Sequence, residues 1–394
     1  MMPLPATTFP HKAVFVTIVA LCGALNAIML AKLLFSHAML NTDFMAFWSF
    51  QRFVAAHPAG FIYNAQALTA FQQALYPGFH SFYPYLYPPT LLLPTWWLRL
   101  LPFGAAEIVW ALAGVALLAA AIPTLFARNQ GGALLVLLAS PAALINAATG
   151  ETAFFTSALL LAGFGALPRR PILVGIAFGL LTLKPQLGVL IPVFLLARGE
   201  RRAIIAASAT ALGLVAVSCA VLPPTMWQLW WQTLPEYQAN YFNATTLNLN
   251  IIVTPAANLV ALGIGQKAAW GVQVICFVLV ACGVAWMARR APYNLAVAAL
   301  LVGTFLAQPH AYAYDTVTIP AALMLCLTPR MPEWALGLGG LVYLAPLALL
   351  SPAAHWFLYS LPLAVLFVSI IILARTAAGG AISAHAPDLS SPTS

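Results

Sequence analysis

Charge is what this sequence has least of. Of its 394 residues only 6% are Asp, Glu, Lys or Arg, while 63% are hydrophobic; an ordinary soluble domain carries roughly 25% charged residues. That ratio excludes a soluble fold, and with it cytosolic enzymes and nucleic-acid binders. Polar stretches long enough for a large soluble catalytic domain are missing, and no G-x-x-x-x-G-K-[ST] loop is present to cradle a nucleotide, which removes ATP-driven pumps. Cysteine is scarce as well. Cys22, Cys219, Cys276, Cys282 and Cys326 all lie in apolar runs without C-x-x-C spacing, so neither a disulfide framework nor a thiolate metal site is indicated. The seven histidines show neither H-x-x-x-H nor H-E-x-x-H spacing, and no metal is argued for.

What is abundant is apolar length. A spanning helix takes about 20 apolar residues, and spans read at 13–35, 104–127, 131–147, 151–167, 171–183, 187–197, 203–222, 268–288, 292–307, 315–328, 333–350 and 355–375. The first has no small-residue cleavage pattern after it and reads as an uncleaved anchor. Residues 88–101 are too short and too Pro-rich for a span and read as a partial or re-entrant helix. Residues 376–394, rich in Ala, Ser, Gly and Pro, read as a disordered cytoplasmic tail. The expectation is a single all-α polytopic domain over 1–375 with about 12 transmembrane helices. The net charge of +8 is mostly an orientation signal: Lys and Arg favour cytoplasmic loops, and eleven of the sixteen basic residues can be placed on one side by alternating spans. Lys32, Arg52, Lys184 and Lys267 fall at or near the other face.

Two segments on that other face are neither spans nor short turns, 36–87 and 223–266. The first holds fourteen aromatic residues in 52, among them Phe44, Phe47, Trp48 and Tyr87, and short helices are expected there in the interfacial plane. Most of these rings read as an aromatic belt at the headgroup layer; some can stack on sugars.

With only eight acids, the search for a general base is short. Glu200, Glu333 and Asp388 sort to the basic side, and Glu107 lies at an end whose side is undecided. Asp43, Glu151, Glu236 and Asp315 remain on the outer face. Asp43 opens the aromatic segment, where it can take a proton from an arriving hydroxyl or simply cap a helix over 44–55. Lys184 stands alone between two apolar runs with Pro185 behind it. It can meet a phosphate, pair with Glu151, or snorkel to the interface. Glu151, in the turn after Asn146 and Gly150, can position a hydroxyl or act on a helix N-terminus. His310, in the turn Gln308 to Asp315, can bind an anion, shuttle a proton, or be structural. A secondary transporter is the rival reading, although transporters set their polar sites near the midplane in paired halves and no paired halves are visible. A lipid-linked saccharide polymerase or ligase is a third.

Taken in order, Asp43 after the first span, Tyr87-Pro88-Pro89, Asn146 with Gly150-Glu151, Leu183-Lys184-Pro185-Gln186, the basic turn Arg198 to Arg202, and Gln308-Pro309-His310 through Tyr314-Asp315 resemble the GT-C-type polytopic glycosyltransferases, specifically glycosyltransferase family 87. The resemblance runs over about 10–375. It implies an inverting transfer of a sugar, mannose by preference, from a polyprenyl-phosphate donor to a hydroxyl of a lipid or glycan acceptor. The reaction would take place on the non-cytoplasmic face of a membrane, expected to be a bacterial inner membrane, with membrane lipids as the surroundings. Asp43 would match the catalytic base, Lys184 and His310 would meet the donor phosphate, and Arg52, Glu151, Asp315 and Tyr87 would contact the sugar or support those groups. The resemblance implies no cofactor and no metal.

Overall fold

The computed structural model describes residues 9–36, 43–76, 83–167, 169–240, 251–327, 333–349 and 358–383. Those residues are mostly helical, and the extended pairing among them is a single antiparallel bridge between Ile252 and Tyr312. The bundle begins with α1 (Phe9–Ser36). A long first loop follows, with α2 (Asp43–Ala56), a 3-10 turn Ala59–Tyr63, and α3 (Ala65–Leu75), whose N-cap Asn64 accepts from the Ala67 N–H at 2.9 Å. The Pro-rich stretch is not one helix. It is a continuous run that changes between 3-10 and α turns, as Pro89–Leu91, α4 (Leu92–Thr95) and Trp96–Leu100.

The remaining helices are α5 (Phe103–Leu125), α6 (Gln130–Leu138), α7 (Pro141–Thr149), α8 (Ala153–Ala166), α9 (Pro171–Leu180), α10 (Ile191–Arg198), α11 (Arg201–Val221), α12 (Thr225–Asn240), α13 (Pro255–Ala261), α14 (Gln266–Arg290), α15 (Tyr293–Ala307), α16 (Ile319–Cys326), α17 (Glu333–Leu349) and α18 (Ser360–Ser383). Among the described residues, α5, α11 and α14 are the single helices long and apolar enough to cross a membrane, and α6 with α7 forms one bent candidate, broken by 64°. The other eight predicted spans are shorter apolar helical stretches of 10–17 residues. The helices α1 and α18 themselves run 28 and 24 residues; at about 1.5 Å per residue the other six fall short of a hydrocarbon layer of about 30 Å, so irregular backbone at their ends must be satisfied within the protein. At the carboxyl end α18 continues to Ser383. The expected tail therefore does not begin at 376, and residues 384–394 lie outside the described residues.

The core is centred on α15, where every residue from Leu295 to Ala307 is buried among α14, α16 and α18. At the other extreme α11 exposes Ile205, Leu212 and Val221. It is held mainly by α9, where Gly175 and Gly179 let the backbones approach. A Cβ at either would come within 2.5 Å of a side-chain carbon of Ala206 or Thr210, the small-residue spacing familiar from helix pairs in lipid.

The bend between α6 and α7 frees backbone carbonyls in the apolar interior, and side chains from distant helices catch them. Asn26 of α1 donates to Leu138 O at 3.1 Å and Ser140 O at 3.0 Å, and Tyr343 of α17 donates to Val136 O at 3.0 Å.

The aromatic first loop is a second core. Phe44, Phe47, Phe50, Phe53, Ile62, Leu68 and Tyr85 are buried together with Leu91, Leu98, Trp110 and Met226. This corrects the expected belt: the rings of α2 face protein, because one short helix carrying a Phe every third or fourth residue can bury them against the Pro-rich stretch and α5.

Candidate active site

Four segments that are far apart in the chain bring their charged side chains to one end of the bundle. Asp43 is the first residue of α2. Glu151 lies in the turn from α7 to α8, Lys184 in the break between the 3-10 turns Leu181–Leu183 and Pro185–Gly188, and Asp315 in the 3-10 turn Ala313–Thr318.

The Glu151 turn is built from its neighbours. Gly150 ends α7 in the left-handed region (φ +69°), and its N–H reaches Asn146 O at 2.9 Å, the usual role of glycine after a helix. The Asn146 side-chain oxygen accepts from Ala153 N at 2.8 Å, so one buried amide ties the end of α7 to the start of α8. Trp110 donates to Gly150 O at 2.9 Å. The glycine also lies flush against α2, where an added Cβ would stand 2.4 Å from Phe44 Cβ. That close approach places Glu151 beside Asp43.

Lys184 is 5% exposed and has three partners. Its Nζ donates to Asp315 Oδ1 at 2.6 Å and to Thr152 Oγ1 at 3.4 Å, and it pairs with Glu151 Oε2 at 3.6 Å. The Thr152 hydroxyl in turn donates to Glu151 Oε2 at 3.3 Å. Asp315 is held by Tyr312 N–H on its other oxygen at 3.1 Å, and the Tyr314 ring lies 5.1 Å from the lysine nitrogen. Gln308 joins the two flanking turns: with its amide nitrogen toward the carbonyls it donates to His310 O at 3.2 Å and Gln186 O at 3.3 Å.

Three carboxylates around one ammonium leave an excess of negative charge in a poorly solvated place. Burial works against the Lys184 charge, but Asp315 and Glu151 outweigh it and hold the ammonium above the usual lysine value. Asp43 bears the excess. Burial and then Glu151 raise its carboxyl to about 8, against a hydrogen bond from the Tyr83 side chain and the charge of Lys184. The Tyr87 phenol, pushed upward by burial, Glu151 and Asp43, stays protonated beside them.

A model of glycosyltransferase family 87 matches residues 85–309, more than half of the chain. The chain belongs to glycosyltransferase family 87. No curated protein and no solved structure matches it. The stretch that identifies this glycosyltransferase contains Tyr87, Glu151 and Lys184. It begins after Asp43 and ends before His310 and Asp315.

Of the residues singled out in this glycosyltransferase from sequence, Asp43, Glu151, Lys184, Asp315 and Tyr87 are brought together. His310 sits in an aromatic corner, its ring centroid 6.1 Å from both Tyr237 and Trp270. Burial lowers its imidazole to about 4, so at neutral pH it is uncharged. Arg52 is not delivered to the cluster. Nine residues beyond Asp43, about 13 Å along the helix, its guanidinium lies 4.1 Å from the Trp48 ring centre and donates to Leu101 O at 3.2 Å. It braces α2 against the Pro-rich stretch. Thr152, Tyr83 and Tyr314 went unselected, since neutral and aromatic residues are too common here to signal a site; the sequence cue for Thr152 is only its adjacency to Glu151.

Proposed function

We propose that this membrane glycosyltransferase moves a sugar, mannose by preference, from a polyprenyl-phosphate donor to a hydroxyl of a lipid or glycan acceptor, with inversion and with Asp43 as general base. The observation that carries the reading is the burial of Asp43 beside Glu151 and Asp315, which raises its carboxyl to about 8 against the charge of Lys184. A base titrating near the working pH combines a usable ionised fraction with a strong pull on the proton. Taking the acceptor proton also removes one of three crowded negative charges, so the electrostatics of the cluster favour the transfer itself. The acceptor oxygen attacks the anomeric carbon opposite the leaving phosphate.

The donor phosphate gathers charge as it leaves. Lys184 meets it by exchanging its longest contact, Glu151 at 3.6 Å, for a phosphate oxygen, and the neutral imidazole of His310 supplies a hydrogen bond. Glu151, Asp315 and Tyr87 hold these groups or contact the sugar. The donor's tail keeps the reaction at a bilayer, and the sorting of basic residues supports a site on the extracytoplasmic face, of an inner membrane on this reading.

The test is transfer from labelled polyprenyl-phosphate mannose in membranes carrying the wild type or Asp43→Asn. Label enters a new product only with the wild type, and removal of the base lowers the rate by about 100-fold to 10,000-fold. Ordinary transfer by Asp43→Asn would remove Asp43 from this role.

A further inference from the structure

Between the aromatic loop and the Pro-rich stretch, residues 83–88 form a strap whose carbonyls are pinned by side chains from three other elements. Gln72 of α3, fully buried, donates to Tyr83 O at 3.3 Å and to Ser49 Oγ of α2 at 3.0 Å. Trp230 of α12 donates to Leu86 O at 3.0 Å, and Tyr63 donates to Tyr87 O at 3.0 Å. Within the strap Tyr85 donates to Pro88 O at 2.9 Å. A segment with so many of its carbonyls committed has little freedom to shift. Its first described residue, Tyr83, directs its side chain to the Asp43 carboxyl. The strap is thus tied to α2 twice, at Ser49 through Gln72 and at Asp43 through Tyr83.

We propose that Tyr83 is a positioning residue for the base: its hydroxyl donates to the Asp43 carboxylate and holds it at the end of α2, facing the space an acceptor hydroxyl must enter. This rests on the reading of Asp43 as the base. The physical need is clear from the surroundings. The charged and titratable groups facing Asp43 are Glu151 from the α7–α8 turn, Lys184 from the break after α9, Asp315 from the turn before α16, and the phenols of Tyr83, Tyr87 and Tyr314. Two of them are carboxylates that resist ionisation of a third. Lys184 favours it from a distance, its short contact being spent on Asp315. Tyr83 gives Asp43 a directed donor, which stabilises the ionised form and fixes which oxygen remains open. A hydrogen bond to the charged form of an acid lowers its pKa.

The test follows the Asp43 carboxyl directly, in the full-length protein in lipid nanodiscs, by infrared difference spectroscopy against pH, the band being assigned by its loss in Asp43→Asn. The wild type titrates near 8. Tyr83→Phe moves the midpoint up by roughly one pH unit, the scale of one hydrogen bond to a charged group. Replacement of Tyr83 by 3-fluorotyrosine, a stronger donor of the same shape, moves it down, and this variant serves if the phenylalanine variant fails to fold. A purely structural tyrosine would not give opposite shifts. The same midpoint in all three proteins overturns the inference. Should the shifts occur while Asp43→Asn still transfers sugar, Tyr83 positions a carboxyl that is not the base, and it is the reading of Asp43 that fails.

Discussion

The basic residues before and at the end of α10, Lys184 and Arg198, each form an ion pair, and the two pairs differ in reach, distance and exposure. Before the helix, Lys184 meets Asp315 at 2.6 Å with side chains 6% and 0% exposed; at its end, Arg198 faces Glu200 at 3.8 Å with side chains 29% and 28% exposed. Arg198 has other support, from Ala288 O at 3.1 Å and the Tyr293 ring at 5.1 Å. The comparison separates charge that orients a chain from charge that does chemistry. Where water reaches the pair, screening leaves little coupling between its members. Where it does not, each charge alters its neighbours, and the excess acid raises Asp43.

The comparison breaks most sharply at Lys184. Lys184→Met leaves three carboxyls facing one another, and the loss of one partner of a buried pair costs about 3–5 kcal/mol. Thermal unfolding in detergent reads this as a large drop in midpoint together with loss of transfer. Next in size is Gly150→Ala, which combines a φ of +69° with a Cβ pressed on Phe44. It costs on the order of 1–3 kcal/mol and lowers transfer further than the stability loss explains, because Asp43 adjoins Phe44.

A pH-dependent effect sharpens the contrast. Asp43 keeps its proton when folded up to about 8, whereas the unfolded chain releases it near the ordinary carboxylate value. Over that window the native state binds more protons, so its contribution to stability is present at low pH and is lost as pH rises toward 8. The midpoint of unfolding falls with pH across this range in the wild type, and the slope is flatter in Asp43→Asn. The smallest effect belongs to the exposed pair: Glu200→Gln changes stability by less than about 1 kcal/mol and leaves transfer at the wild-type rate.

These residues also show what the sequence can reveal. Asp43, Glu151, Lys184 and Asp315 were legible because charges are rare in an apolar chain, and a rare group at an apolar boundary needs a partner. The spans were legible from hydropathy. Their breaks were less so: Pro141 and Pro185 mark two of them, but a 64° bend is decided by which distant side chains donate to the freed carbonyls. Arg52 illustrates the converse error. It shares a helix and a predicted face with Asp43, yet a nearby Trp48 ring and one carbonyl claim it, and linear sequence does not rank such competitors. Tyr83 and Gln72 carry no signal at all, being one aromatic among fourteen and one amide whose partner lies 23 positions earlier.

The carbonyls freed between α6 and α7 set a schedule for making this protein. Asn26 is already synthesised when the bend emerges, so Leu138 and Ser140 find their donor at once. Val136 waits for Tyr343, 207 residues later. Until α17 arrives, that half of the molecule carries an exposed acceptor in an apolar medium, a state that quality-control proteases and chaperones can recognise. Truncation between α16 and α17 therefore leaves a chain that contains all the site's acids and its lysine and still has an unpaired acceptor in its membrane interior.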